Sequence, residues 1–237
     1  MAEIITVVGS GGKTSCIFSL AEELGCTGKK VLITTTTHMA AEAPFPVTDR
    51  GETCLHLLKE HPAVLLARTI QDRGTEKLSA PDEQELCACL PHVDVILNEG
   101  DGSAGKPLKV PADHEPVLLE GTDRILLLAG LSGLYRPIGE VCHRIPLVCA
   151  CLGKNPDEQI REEDMIRLLT EGYLRKLEER YSGIPVELIL NQADTQELWQ
   201  AGLRIRSRIM VPVQVRAFRN EKNKQFIQNV LASYRHK

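Results

Sequence analysis

Long apolar runs are missing from this chain of 237 residues. No stretch approaches the ~20 apolar residues that a bilayer-spanning helix needs, which argues against a membrane protein. Excess positive charge is missing too. The formal net charge is −4, so there is no basic field for nucleic acid and no run of like charges. The first apolar run, Ile4–Val8, reads as a strand, so no secretory signal is expected. The eight cysteines include no C-x-x-C spacing, only the C-x-C pairs Cys87/Cys89 and Cys149/Cys151. They read as reduced thiols of a cytoplasmic protein, packed as small hydrophobes, with a metal or selenium site at the C-x-C pairs as the alternative. Linkers, internal repeats and low-complexity segments are also absent, so one domain is expected over 1–237. The remaining composition, 43% hydrophobic and 25% charged, is that of an ordinary globular protein.

What is present is alternation. Apolar β-branched runs at Ile4–Val8, Lys30–Thr36, Ala63–Arg68, Val93–Asn98, Arg124–Ala129, Val186–Leu190 and Val211–Val215 read as strands. Helical patterns lie between them, at Thr14–Gly25, Glu52–Glu60, Asp82–Leu90, Thr195–Ser207 and Glu221–Tyr234. A further helical pair spans Arg161–Tyr181, with a break expected at Gly172. Short continuous Val/Ile/Leu strands suit burial on both faces. The expected class is therefore α/β, a single doubly wound, mostly parallel sheet flanked by helices. Pro44–Asp49 and Gly102–Pro116 are the long irregular stretches, and such segments carry function at the carboxyl ends of strands.

The first strand runs into Gly9-Ser10-Gly11-Gly12-Lys13-Thr14-Ser15 and then a helix. Glycines let backbone N–H groups converge on an anion, and the helix N-terminus adds positive potential. In a phosphate loop Lys13 reaches the outer phosphates and Thr14 holds Mg²⁺, with Ser15 beside them on the phosphate side. The spelling is incomplete, because Val7 stands where the full pattern has its first glycine. The shorter form resembles the loop of Mur-type ligases as much as that of standard P-loop NTPases. A plain glycine turn is the alternative.

The strand Val93–Asn98 leads into Glu99-Gly100-Asp101-Gly102-Ser103. P-loop enzymes place an acid at the tip of a neighbouring strand, where it coordinates Mg²⁺ or positions water. Asp101 is assigned to the metal with Thr14, and Glu99 to aiding it or activating water. A solvated turn is the alternative. Gly100–Lys106 matches the phosphate-loop spelling at its first glycine, but Pro107 replaces the metal-holding hydroxyl and no helix follows. The nucleotide phosphates are therefore assigned to Lys13. Lys106, Lys109, Asp113, His114, Arg136 and His143 are assigned to a second substrate, with His114 also a candidate general base or ligand. Exposed lysines, a surface His114 and a surface ion pair at Arg136 are the alternatives.

Leu190-Asn191-Gln192-Ala193-Asp194 ends the sixth strand in N-x-x-D. GTPases end a corresponding strand in N-K-x-D, whose Asp pairs with guanine. Asn191 and Asp194 are thus assigned to the base, although Gln192 replaces the stacking lysine. A structural brace at Asn191 and a helix cap at Asp194 are the alternatives. The hydroxyls of Thr34–Thr37 are available to a phosphate or a metal-bound water, or are ordinary strand residues.

Together, Val8–Thr14, Thr34-Thr35-Thr36-Thr37-His38, Glu99–Ser103 with Pro107-Leu108-Lys109-Val110-Pro111-Ala112-Asp113-His114-Glu115-Pro116, and Leu190–Asp194 resemble the selenium-dependent molybdenum hydroxylase accessory proteins, the YqeC family. The likeness covers nearly the whole chain, and the E-x-D-G-S segment with P-L-K-x-P-A-D-H-E-P is its most specific part. The resemblance implies a P-loop NTPase-like, cytosolic, nucleotide-binding protein acting in maturation of such a hydroxylase. It names a molybdenum hydroxylase or its maturation factors as partners and leaves the reaction open. The leading expectation is an Mg²⁺-dependent ATP- or GTP-binding NTPase or phosphotransferase with an unidentified small-molecule substrate. The alternatives are a Mur-like ligase or small-molecule kinase, and a nucleotide-gated scaffold without turnover.

Overall fold

The computed structural model describes residues 2–72 and 74–217. The last expected helix, Glu221–Tyr234, lies outside the described residues. The chain opens with β1 (Glu3–Gly9), α1 (Lys13–Cys26), β2 (Val31–Thr35), β3 (His38–Ala40), β4 (Val47–Thr48) and α2 (Gly51–Leu57). It continues through β5 (Ala63–Leu66), β6 (Arg68–Asp72), β7 (Thr75–Ser79), α3 (Glu83–Cys89), β8 (Val95–Glu99), β9 (Leu108–Lys109) and β10 (Arg124–Gly130). After these come α4 (Ile138–Val141), β11 (Cys142–His143), α5 (Ile145–Leu152), α6 (Glu162–Arg167), α7 (Arg175–Tyr181), β12 (Val186–Asn191), α8 (Gln196–Arg206) and β13 (Val213–Val215).

Eight strands form one sheet in the order β13-β12-β10-β1-β8-β2-β5-β4. Every pairing in it is parallel. The fold is the expected α/β class, consistent with a P-loop NTPase-like arrangement. Side chains alternate across the sheet, and both faces are covered. Along β10, Ile125, Leu127 and Ala129 join a cluster with Met165, Leu169, Tyr173 and Ile205, while Leu126 and Leu128 join one with Ile17, Leu20 and Leu24 of α1. That two-sided burial explains why the strands read as continuous apolar runs.

β1 lies between β8 and β10, yet the chain leaves it through α1 to reach β2 beyond β8. The carboxyl end of β1 is therefore a point where the winding reverses, the place where open α/β sheets bind ligands.

Several features depart from the sequence expectation. Val47–Thr48, inside the expected irregular stretch Pro44–Asp49, adds an edge strand beside β5. Arg68–Asp72 and Thr75–Ser79 form an antiparallel hairpin that pairs with His38–Ala40 in a separate three-stranded sheet. Gly102–Pro116 is not wholly irregular, since Leu108–Lys109 pairs with Cys142–His143. Gly172 does not break its helix. A seven-residue π-helical stretch, Leu168–Leu174, joins α6 to α7 instead. The open face of Gly172 meets Val110, where a Cβ would stand 3.2 Å from the valine methyl.

The cysteines are all free thiols. Of the two C-x-C pairs, Cys89 is buried, Cys149 and Cys151 are half-buried, and Cys87 is exposed. The buried reading thus holds fully only for Cys89.

Candidate functional site

The carboxyl ends of β1, β2 and β8 open into a cleft of about 1120 Å³. One wall is the start of α1, from Gly11 to Ser15, together with Glu99. The opposite rim comes from the small antiparallel sheet, including His38, Thr75 and Lys77. A third wall carries Ser103, Lys106, His114, Glu115, His143 and Arg144.

The loop between β1 and α1 is fixed from below. Its Gly9 N–H donates to both carboxylate oxygens of Asp101 at 3.0 Å. Ser10 N–H donates to the Leu128 carbonyl at 2.9 Å, and Gly11 N–H to the Lys106 carbonyl at 3.3 Å. These three amides are spent within the protein. The expectation that Gly9, Ser10 and Gly11 offer N–H groups to phosphates is corrected accordingly. The first helical bond runs from Cys16 N–H to the Gly12 carbonyl. The amides of Gly12, Lys13, Thr14 and Ser15 therefore precede the intrahelical ladder, on residues that line the cleft. With the helix dipole behind them they form an anion cradle.

Lys13 is buried, with its ammonium 2.9 Å from the Gly9 carbonyl it donates to, 3.3 Å from Asp101 and 3.8 Å from Glu99. Thr14 donates its hydroxyl to Glu99 Oε2 at 2.8 Å. Burial raises the Glu99 pKa above the ordinary carboxylate value, while Lys13 and the Thr14 hydrogen bond pull the other way.

Asp101 occupies a different position from the one expected. It is fully buried and accepts from Gly9, from the Tyr173 hydroxyl, and from Lys109 at 2.8 Å. Its lone pairs are filled by protein donors, so it is a keystone under the loop rather than a metal ligand. Among the two acids, Glu99 is the one that shares an edge with Thr14. Burial, the Asp101 charge and the Asp101 hydrogen bond hold the Tyr173 hydroxyl protonated far into alkaline pH. It thus remains a donor to Asp101.

Lys109 is corrected as well. Its buried ammonium donates to the Gly102 carbonyl at 2.7 Å, to Asp101 and to Glu115 at 3.0 Å. That cation is committed to the interior. Glu115 also receives Arg144 through Nε at 3.1 Å and Nη2 at 2.8 Å. Burial opposes ionisation of Glu115, but the Arg144 and Lys109 contacts outweigh it and lower the pKa to about 2.

The remaining expected residues divide. Lys106, His114 and His143 line the cleft. Asp113 points to solvent against Lys176, and Arg136 pairs with Glu140 on the surface. Neither lies in the cleft wall. Asn191 is buried and donates from Nδ2 to the Gly11 carbonyl at 2.7 Å, the brace that was the alternative reading. Asp194 is exposed, and α8 is capped instead by the hydroxyl of Thr195, which accepts from Leu198 N–H at 3.2 Å. From this strand end only Gln192 reaches the cleft. In the threonine run, Thr34, Thr35 and Thr36 donate to the carbonyls of Leu66, Glu99 and Val117, and only Thr37 lines the cleft.

Tyr173 is the functional residue that sequence reading missed. It sits 72 residues from Asp101, in a helix whose local pattern signals only apolar packing. A buried hydroxyl needs a partner, and that rule identifies the tyrosine only once the fold is known.

The family model described as YqeC protein matches residues 5–146, well over half of the chain. This chain belongs to the YqeC family. It is similar to a protein of Escherichia coli (strain K12) described as uncharacterized protein YqeC, at 33% identity over 171 residues. That match covers 70% of this chain and 67% of the other. The residues matched to the YqeC family run from β1 to the start of α5 and include the phosphate-loop candidate, Glu99, Asp101 and the His114 and His143 wall.

Proposed function

We propose that this YqeC-family protein binds a nucleoside triphosphate with Mg²⁺ and serves as an accessory factor in maturing a selenium-dependent molybdenum hydroxylase. The observation that carries the nucleotide reading is one corner of the cleft. There the open amides of Gly12–Ser15, the Lys13 ammonium and the Thr14–Glu99 pair meet at the N-terminus of α1. The amides and Lys13 bind phosphate oxygens. Thr14 and Glu99 supply hard oxygen donors, the ligand type that Mg²⁺ prefers. Among the described residues no group of three or more His, Cys, Asp or Glu forms a metal cage. Mg²⁺ in such sites commonly completes its shell with phosphate and water. When bound, it would neutralise phosphate charge. Lys13 orients the outer phosphates, and His114 is available to take a proton from an acceptor or water.

The accessory role rests on the resemblance of the E-x-D-G-S and P-L-K-x-P-A-D-H-E-P segments to the accessory proteins of selenium-dependent molybdenum hydroxylases. ATP and GTP are titrated by calorimetry with and without Mg²⁺, into the wild-type protein and Lys13→Ala. Binding that needs Mg²⁺ and is lost in Lys13→Ala is expected. Equal affinity in the two proteins would end the phosphate assignment. Turnover of the bound nucleotide, and co-purification with the hydroxylase, separate an enzyme from a gated scaffold.

A further inference from the structure

The cleft is wider than the phosphate corner, and its third wall has an unusual charge arrangement. The β9–β11 pairing sets His143 opposite Lys109 in register. Beneath the ring, Lys109 is locked between Asp101 and Glu115. Beside it, Arg144 holds a left-handed backbone conformation, φ 60°, that is unfavourable for a residue with a side chain. The strain is stored where the guanidinium meets the cleft.

Arg144 spends its forked edge on Glu115. With Nε and one Nη2 hydrogen engaged there, its outer edge, Nη1 with the second Nη2 hydrogen, is left to fork onto an anion. Nη1 remains uncommitted among the described hydrogen bonds. The other donors on this wall come from three segments: Ser103 and Lys106 in one turn, His114, and His143. Donors spread in this way around a fork suit the divergent oxygens of a tetrahedral anion. The segment bearing His114 is also held in place. Lys176 donates to the Ala112 carbonyl at 2.6 Å, Arg180 to the Asp113 and Glu115 carbonyls at 3.0 Å, and Tyr181 to the Pro116 carbonyl at 2.8 Å.

We infer that the wall formed by His114, His143 and Arg144 binds a tetrahedral oxyanion carried by a second substrate, at a subsite separate from the nucleotide phosphates. The inference rests on the nucleotide reading only in assigning Lys13 to the nucleotide. Electrostatics agree with the geometry. Burial, then Arg144 and Lys109, push the His143 pKa below its usual value, with Glu115 opposing and Lys13 adding to the effect. The uncharged ring is left with a donor or acceptor nitrogen for a ligand in the cleft. Preorganised donors around a developing charge are also what group transfer to such a substrate requires.

The test loads the full chain with the non-hydrolysable β,γ-imido analogue of ATP or GTP and Mg²⁺, so that all three nucleotide phosphate positions are filled. Inorganic phosphate is then titrated in, and the His143 imidazole resonances are followed by NMR alongside calorimetry. Phosphate is expected to bind the loaded protein and shift His143. His143→Gln and Arg144→Gln, each verified as folded by circular dichroism, are expected to weaken phosphate binding by about tenfold, the loss of one good hydrogen bond. His143→Gln keeps the test valid if Arg144→Gln disturbs Glu115. Displacement of phosphate by the analogue, or unchanged phosphate affinity in both variants, overturns the subsite. If the analogue fails to bind while phosphate binding remains sensitive to both variants, the nucleotide reading fails and the subsite stands.

Discussion

The Tyr173 hydroxyl donates to the Asp101 carboxylate and accepts from the Gly9 N–H at 3.1 Å, joining the π-helical stretch to the first turn of the phosphate-loop candidate. π-Helical insertions cost backbone regularity and recur at functional sites. Here the insertion carries the one tyrosine that reaches under the loop. The loop's shape is thus fixed by a residue 164 positions away.

Tyr173→Phe removes that hydroxyl and leaves its partners to one another. Gly9 keeps Asp101 as acceptor, and Asp101 keeps Lys109. The expected loss is about 1–2 kcal/mol of stability, the range for a buried hydrogen bond to a charged group. Urea unfolding reads it as a lower midpoint at unchanged slope. Unchanged stability would mean that the hydroxyl carries no net load.

Gly11 and Gly28 both have left-handed backbones, φ 81° and 85°. They differ in surroundings. A Cβ at Gly11 would lie 2.3 Å from the Gly130 nitrogen, whereas at Gly28 nothing stands within 4 Å. Gly28→Ala is expected to cost about 1 kcal/mol, the conformational penalty alone. Gly11→Ala must also displace backbone and is expected to cost at least about 1 kcal/mol more. Equal melting temperatures for the two variants would show that β1 and β10 can part locally without penalty.

Glu115 gives a pH signature. Its folded pKa is lowered to about 2 from 4.5. A depressed carboxylate stabilises the fold above its unfolded value and loses that contribution as pH falls through the folded one. Wild type should therefore exceed Glu115→Gln by at most about 3 kcal/mol above roughly pH 5, a bound set by the size of the shift. The gap should close between about pH 4.5 and 2. Parallel urea titrations across this range measure it. A gap that is constant with pH would assign the effect to packing.

The parallel α/β class was legible because two-sided burial writes itself into the strands as apolar runs. The strand–glycine–helix junction at Lys13 was legible because its strand, turn and helix adjoin in sequence. The three-stranded antiparallel sheet was not. Its hairpin residues Arg68–Asp72 are mostly exposed and polar, so no apolar pattern marks them. Asp101 was placed at the metal beside Glu99 for a similar reason. Two acids two residues apart look equivalent in a strand pattern, and only the fold reveals that Lys109, Tyr173 and Gly9 saturate one of them. Asn191 shows the same limit. Its N-x-x-D context suggested base recognition, while its geometry makes it a brace on Gly11.

The different surroundings of the two acids yield the sharpest prediction. Glu99 borders the cleft and faces Thr14, whereas Asp101 is enclosed by Lys13, Lys109 and Tyr173. Glu99→Gln keeps the shape and relieves a buried charge whose pKa burial already raises. Its stability should match or exceed that of wild type near neutral pH, because a carboxylate with a raised folded pKa costs stability increasingly as pH rises above its unfolded value. Mg²⁺-dependent nucleotide binding should nevertheless be lost. Asp101→Asn should do the reverse at the level of the fold. It leaves Lys109 and Lys13 short of a counter-charge, and breaking a buried pair costs about 3–5 kcal/mol. Thermal unfolding and Mg²⁺ titration of both variants separate the two roles. If Asp101→Asn stays as stable as wild type and loses only Mg²⁺, then Asp101 is the metal ligand and Glu99 the structural acid.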